Sequence, residues 1–380
     1  MQTTSDLSLS DLDLPFNESP IMNYHDAAML TVGNRLVVGY LADEHDCENP
    51  LESCDGMGKV FTAHRWSTTQ SEMREALALD SEWSPDLDLV DEHKSRLRAA
   101  WIETAMYSPE FIVWADETAG ARAGKNDAYY RRRAVKLWSE TDGEYNYRSD
   151  CVQDFGFWDD VRTKVWNELR DEGAIGDKDV VVLDCYDHGG QSWSLSGQGM
   201  QCQFDTAKGG GVWVPDESAR EEIERRAKVY AFGRIVQNGL WTRKSGKLRH
   251  IAILDEAYGS SESEGFNDWH EAFAWLEAKA KNLRLSRRKA DRASQERRGR
   301  QRAAMELAQA SLNTYNDWLA GNCYGIVTAV FTKVDEEGDE PTYEFESSNE
   351  CWGFIGDDYA MEEAARAADE SAKSFQAEAA

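Results

Sequence analysis

The sequence predicts an α+β protein: an antiparallel β core with a helical insertion and a long basic helical segment. Three observations predict it. Runs of β-branched and aromatic residues, punctuated by glycine-containing turns, fall at 28–65, 173–261 and 321–358. Apolar residues recur at helical spacing through 66–172 and 262–320. Between two of these stripes, residues 281–302 hold ten Lys/Arg against two Asp/Glu, a composition without an apolar face.

Residues 1–27 are polar and acidic and read as a flexible acidic arm. Leu30-Thr31-Val32 and Arg35 to Tyr40 read as strands joined by the hairpin signal Gly33-Asn34. An acidic loop, Asp43 to Cys54, precedes Asp55-Gly56-Met57-Gly58 and a strand at Lys59 to Thr62. In the insertion, Ser71 with Glu75 marks a helix start. Leu97, Trp101, Thr104 and Ala105 are spaced for one buried stripe. Asp159-Asp160 favour a helix N-terminus, and Gly173 a helix end.

The β pattern returns from Asp179 to Pro215. Asp216 then reads as an N-cap, with Ile223, Ala227, Tyr230, Ala231 and Ile235 as the buried face and Asn238-Gly239 as the stop. Phe266, Trp269, Phe273, Leu276, Ala280 and Leu283 make one stripe; Met305, Ala308, Leu312, Tyr315 and Leu319 make another. Either one helix of roughly 80 Å runs through both, or two helices fold back on each other, and in both cases the basic part is expected to project from the body. The strands Tyr324 to Thr332 and Thr342 to Glu346 flank an acidic turn at 335–339. Cys351 to Phe354 adds a short third strand, and 359–380 form a C-terminal helix and tail.

The formal net charge is −28. With +8 on 281–302, the rest sums to −36, which repels phosphate backbones over most of the surface and steers cationic partners. Seven cysteines at irregular spacing are expected to be free thiols. No stretch approaches the ~18 apolar residues of a membrane span. The acidic start lacks the basic and apolar regions of a secretory signal, so the reading is cytoplasmic, with no membrane partner.

Three blocks carry a resemblance. The first is Leu36-Val37-Val38-Gly39-Tyr40 with Asn49-Pro50 and Asp55-Gly56-Met57-Gly58-Lys59. The second is Tyr186-Asp187-His188-Gly189-Gly190, followed by Cys202, Phe204-Asp205-Thr206 and Gly209-Gly210. The third is Thr314-Tyr315-Asn316-Asp317-Trp318-Leu319, Tyr324-Gly325 and Cys351-Trp352-Gly353-Phe354. In kind and order they resemble an uncharacterised family of proteins carried by bacteriophages and conjugative elements. They cover about a third of the chain. Gly189 stands where that family more often has Ser, and Phe204-Asp205-Thr206 where it commonly has Trp-Asp-Ser. Residues 66–172 and the basic segment look like additions. The resemblance implies a genomic setting, an accessory gene of a virus or mobile element, and no particular reaction.

Asp184, Asp187, His188 and Asp205 form the strongest polar cluster. If their segments pair as neighbouring strands, Asp205 comes near His188. That pairing suits imidazole orientation or a divalent metal; Asp and His before Gly-Gly equally cap turns. His45, Cys47, Cys54 and His64 make a poor zinc set, because the Cys–Cys gap is too long. Gly197-Gln198-Gly199 and Gly209-Gly210-Gly211 lack the P-loop Lys-Ser/Thr and read as turns. Arg284, Arg287, Arg288, Lys289, Arg292, Arg297 and Arg298 are the nucleic-acid candidates, and Tyr129 to Arg133 form a smaller basic patch.

No nucleophile motif is found, and no catalytic residue, cofactor or metal is assigned. The reading is a non-enzymatic accessory protein that binds a host macromolecule, either a protein or a protein–nucleic-acid complex. Its acidic surface would inhibit a nucleic-acid-dependent defence system. Tyr186, Asp187, His188, Asp205 and Trp352 are the expected contact cluster. Two alternatives stand beside it: a nucleic-acid-associated protein using 284–302, and a metal-dependent hydrolase centred on Asp187, His188 and Asp205.

Overall fold

The computed structural model describes residues 9, 12–16, 28–64, 67–119, 126–140, 155–237, 248–255, 262–334 and 342–378. The chain begins with β1 (Ala28–Val32), β2 (Arg35–Asp43), α1 (Pro50–Ser53) and β3 (Lys59–Thr62). The insertion follows as α2 (Gln70–Leu77), α3 (Asp88–Asp91), α4 (Lys94–Tyr107), α5 (Pro109–Ala119), α6 (Asp127–Glu140) and α7 (Trp158–Glu172). Next come β4 (Val181–Asp187), β5 (Gln191–Leu195), β6 (Thr206–Val214), α8 (Glu217–Tyr230), β7 (Gly233–Gln237), β8 (His250–Leu254) and β9 (Ser263–Phe266). The remainder is α9 (Trp269–Ala280), α10 (Lys289–Leu319), β10 (Cys323–Val334), β11 (Thr342–Ile355) and α11 (Asp357–Glu378).

The fold is α+β, and its antiparallel strands fall into three sheets, ordered β1-β2-β10-β11, β3-β6-β4-β5 and β7-β8-β9. The first hairpin turns at Gly33, whose φ of 61° is the left-handed conformation such a turn requires. One face of that sheet is covered by α11 through the alanines Ala360, Ala364, Ala368 and Ala372, all buried. Gly39 allows this close approach: a Cβ there would lie 2.4 Å from the Ala364 carbonyl oxygen. The opposite face carries Leu36, Val38, Tyr40, Val327, Ala329 and Phe331, with Leu9, Leu12 and Leu14 packed on them. Tyr40 donates its hydroxyl to the Pro15 carbonyl at 2.6 Å. The described part of the expected flexible arm is therefore docked, because three leucines at 9, 12 and 14 bury themselves on an uncovered sheet face.

The second sheet packs its inner face on α8 and α10 in one continuous core with the third sheet and α9. Asp216 ties this region together. Its Oδ1 accepts from the Ala219 N–H, capping α8, and its Oδ2 accepts from the Gly56 and Gly58 N–H groups. The insertion has its own core around Trp101, Phe111, Trp138 and Phe157.

Several sequence expectations change. Ile235 lies on β7, not on the helix, which stops at Tyr230; the β7-β8-β9 sheet has strands of only five, five and four residues and was not expected. Asn238-Gly239 and the turn at 335–339 lie outside the described residues. Cys351 to Phe354 belongs to β11 rather than to a third strand, set off by a register shift opposite Tyr324 to Ile326. The two helical stripes are separate helices, with the chain turning between Ala280 and Lys289.

Only the second half of the basic part packs on the body; residues 287–294 are exposed throughout. Gly299 is fully buried against α8, where a Cβ would meet the Ala227 carbonyl oxygen at 2.4 Å. Arg300 pairs with the buried Asp179 at 2.5 and 2.7 Å, and Arg302 with Asp255 at 2.9 and 3.2 Å. The helix approaches its neighbour through Gly and Ala, so its packing face was invisible as hydrophobicity. No helix among the described residues is long and apolar enough to cross a membrane.

Candidate functional site

The second sheet brings the Tyr-Asp-His turn and the Phe-Asp-Thr segment together. β4 pairs with both β5 and β6, placing Tyr186 opposite Thr206. The ladder extends one step further, with the Asp187 N–H donating to the Asp205 carbonyl at 2.9 Å. Beyond it the β4–β5 turn runs through Gly189, with φ 79°, a conformation that costs a serine more than a glycine. The Tyr186 and His188 rings stack at 6.1 Å, and His188 Nδ1 lies 3.5 Å from Asp205 Oδ2.

Beneath this turn, Asp184 is a structural anchor. Its side chain accepts from the backbone N–H groups of Gly197 (2.8 Å) and Gly209 (2.9 Å) and from Gln201 Nε2 (3.1 Å). Burial pushes its carboxyl up, but these bonds and one from Ser196 outweigh burial and hold it below the usual carboxylate range. One buried carboxylate thus fixes the turn at Gly197-Gln198-Gly199 and holds Gly209; Gly209-Gly210-Gly211, expected to be a turn, lies instead within β6, where the pairing with β4 shifts register between Leu183 and Cys185. Thr206 adds to the hold by accepting from the Cys202 N–H and donating to the Met200 carbonyl, both at 2.9 Å.

The chemistry available at the surface is limited. Cys202 Sγ donates to the same Asp205 oxygen that faces His188, at 3.2 Å. The His188 side chain is 71% exposed, and a cleft of about 870 Å³ lies elsewhere, between α2 and residues 174–177. Among the described residues no three His, Cys, Asp or Glu side chains are placed to hold a metal ion. That finding applies both to the Asp187, His188 and Asp205 set and to His45, Cys47, Cys54 and His64.

What the loop offers instead is apolar surface. Phe204 is 89% exposed and Met200 63% exposed, on the loop that ends at Asp205. Phe204 is the most exposed of the large hydrophobic residues described. Sequence reasoning noted Phe204 only as a departure from Trp and did not select Met200. Neither position carries a local signal of exposure, which follows from the way Asp184 holds the loop outward.

Trp352 does not join this cluster. It lies on β11 in the first sheet, over Gly325, where a Cβ would fall 2.3 Å from its ring, and it meets Phe16 edge-on at 5.6 Å. The Asn316-Asp317-Trp318 block is a joint between elements. Asn316 accepts from the Trp193 N–H and donates to the Trp193 carbonyl, each at 2.8 Å, completing the free edge of β5. Asp317 sits against Gly356 at the start of α11, and Trp318 donates to the Cys47 carbonyl at 3.0 Å.

The basic candidates divide into two groups. Arg297 pairs with Asp171 at 3.1 Å, and Arg298 reaches Asp255 at 3.8 Å. Arg284, Arg287, Arg288 and Lys289 are exposed and form no ion pair among the described residues; Arg292 is exposed and among them donates only to the Ser286 carbonyl, at 3.3 Å. In the smaller patch, Tyr130 bonds Asp116 and the Arg133 guanidinium lies over Trp114, tying α6 to α5. Comparisons with protein-family models, with curated proteins and with solved structures return no match for this chain.

Proposed function

We propose that this chain is a non-enzymatic accessory protein of a phage or mobile element that acts in the host cytoplasm by binding a host macromolecule. The contact is the surface formed by Met200, Phe204, Asp205, His188 and Tyr186. A single observation carries this reading: two large apolar side chains are held in solvent on a loop whose base is fixed by the hydrogen bonds of Asp184. A rigid apolar tip rimmed by carboxylates suits a partner with an apolar pocket in a basic surround. The acidic remainder of the molecule fits a partner whose natural ligand is a nucleic acid, as in a defence system.

The test is a pull-down from host lysate with wild type and with Phe204→Ser/Met200→Ser. The expected outcome is one specific partner at low and moderate salt, weakened at least about tenfold by the double variant. Recovery of no partner, or of one indifferent to the variant, removes the reading.

A second reading is favoured by the free cations at the start of α10. Arg284, Arg287, Arg288, Lys289 and Arg292 are spared by the ion pairs that consume Arg297, Arg300 and Arg302. They suit a polyanion contact without base readout. A gel shift with duplex DNA is expected to weaken with salt at a logarithmic slope no steeper than about −4.5, from about 0.9 per cation over five cations. It is also expected to vanish when all five become Ala. Absence of any shift at about 50 mM salt dismisses this reading.

A further inference from the structure

The edge of the first sheet is unused. β11 is its outermost strand and runs for 14 residues, Thr342–Ile355, bonded to β10 on one side only. The Gly353 N–H, at the irregularity opposite Gly325, donates to Glu44 at 2.7 Å, and among the described residues no backbone group of another strand pairs with the outer side of β11. By contrast, β5 has its outer edge closed by Asn316. A long row of unpaired backbone donors and acceptors is a template for another strand.

Side chains along this edge specify what kind of strand fits. Phe345 packs against Phe331 at 5.8 Å and is 46% exposed; Trp352, 41% exposed, lies over Gly325 on the same sheet face, next to Phe16. None of these three rings carries a guanidinium or ammonium. The Arg35 guanidinium lies instead over Phe375. Three glutamates punctuate the strand, and no Lys or Arg does. Glu346 is engaged by Arg35 at 2.6 and 2.9 Å, whereas Glu344 and Glu350 are exposed with no cation bonded to them among the described residues.

Register shifts in the pairing with β10 leave Ser347 to Cys351 as a regular segment of five residues between two irregularities. Irregularities of this kind limit how far a flat partner extends. They oppose long edge-to-edge pairing with a second copy, which would also set one acidic edge against another.

We infer that β11 is a docking edge for an extended cationic segment of a partner protein, which adds as a fifth strand beside β11. Backbone bonds form along Ser347 to Cys351. Alternate Lys or Arg side chains lie over Trp352 and Phe345 and pair with Glu350, the glutamate on that face of the strand. This surface is on a different sheet from the Phe204 loop, so either fails without the other.

The test uses the full chain with a synthetic seven-residue peptide alternating Lys with Val or Thr, its Glu-for-Lys counterpart, and a version N-methylated at alternate residues. Hydrogen exchange of the complex is expected to show new protection confined to 342–355. N-methylation is expected to weaken binding about tenfold or more, the equivalent of one or two lost hydrogen bonds. Glu350→Lys weakens the lysine peptide and admits the glutamate peptide, while Phe204→Ser leaves both unchanged. Equal binding of the N-methylated peptide, which would show charge attraction without strand addition, overturns the proposal, as does no binding at low salt. A dimer in solution whose β11 is already protected overturns it in favour of a second copy.

Discussion

Asn316 shows how a single side chain does the work of a neighbouring strand. A carboxamide is the one side-chain group that presents a donor and an acceptor in the geometry of a peptide, and Asn316 directs both at the backbone of Trp193. Replacement by Leu leaves a buried N–H and C=O without partners. The expected loss is about 2–3 kcal/mol in urea unfolding, with Asn316→Asp intermediate because the acceptor survives. An Asn316→Leu protein as stable as wild type would show that β5 finds another partner. Asp184 works on the same principle from the opposite side of the turn: its carboxylate takes the place of the carbonyls that Gly197 and Gly209 would otherwise need. Residues fully employed in this way leave His188, Met200 and Phe204 as the ones the fold does not use.

Among the elements, α10 unites the molecule. Its middle crosses α8 at Gly299, its flanking arginines reach Asp171 and Asp179 on one side and Asp255 on the other, and its last turn holds β5, the 43–54 loop and the start of α11. Gly299→Val places side-chain carbon where the Ala227 carbonyl and Ala231 backbone lie. The clash outweighs the gain in helix propensity, which is under about 1 kcal/mol, and the expected net loss is about 3 kcal/mol or more. Arg300→Met is expected to cost about 2 kcal/mol or more, because it leaves the fully buried carboxylate of Asp179 with only the more distant Arg220 guanidinium, at 3.7 Å. Thermal unfolding of both variants checks this; a Gly299→Val protein at or above wild-type stability would contradict the close crossing.

At the scale of the whole molecule, charge is the governing quantity. Seventy Asp/Glu against 42 Lys/Arg make the native state self-repelling. Its part-buried ion pairs, such as Arg300 with Asp179 and Arg302 with Asp255, are screened less than the surface carboxylates, whose repulsion falls off within about 10 Å at 0.1 M salt. Stability is therefore expected to rise between about 10 mM and 500 mM sodium chloride, read as an increase in Tm. A fall would mean that exposed pairs such as Arg297 with Asp171 dominate.

Much of the fold was legible. The Gly33-Asn34 hairpin, the strand at Lys59 to Thr62, the Leu97-Trp101-Ala105 stripe, the Asp216 cap and the pairing that brings Asp205 to His188 all follow from local pattern, because turns, caps and amphipathic faces are properties of a few consecutive residues. The β7-β8-β9 sheet was not legible, since strands of four and five residues give periodicity too little length. Nor was the packing of the second half of the basic segment, whose contact face opens on glycine and alanine and whose partners, Asp171, Asp179 and Asp255, are 126, 121 and 47 residues away. The sequence alone determined the α+β class, the turns and the sign of the surface. Only tertiary structure decided which cations are consumed inside, which aromatic rings stay in solvent and which sheet edge is left open, because each depends on what distant segments bring alongside.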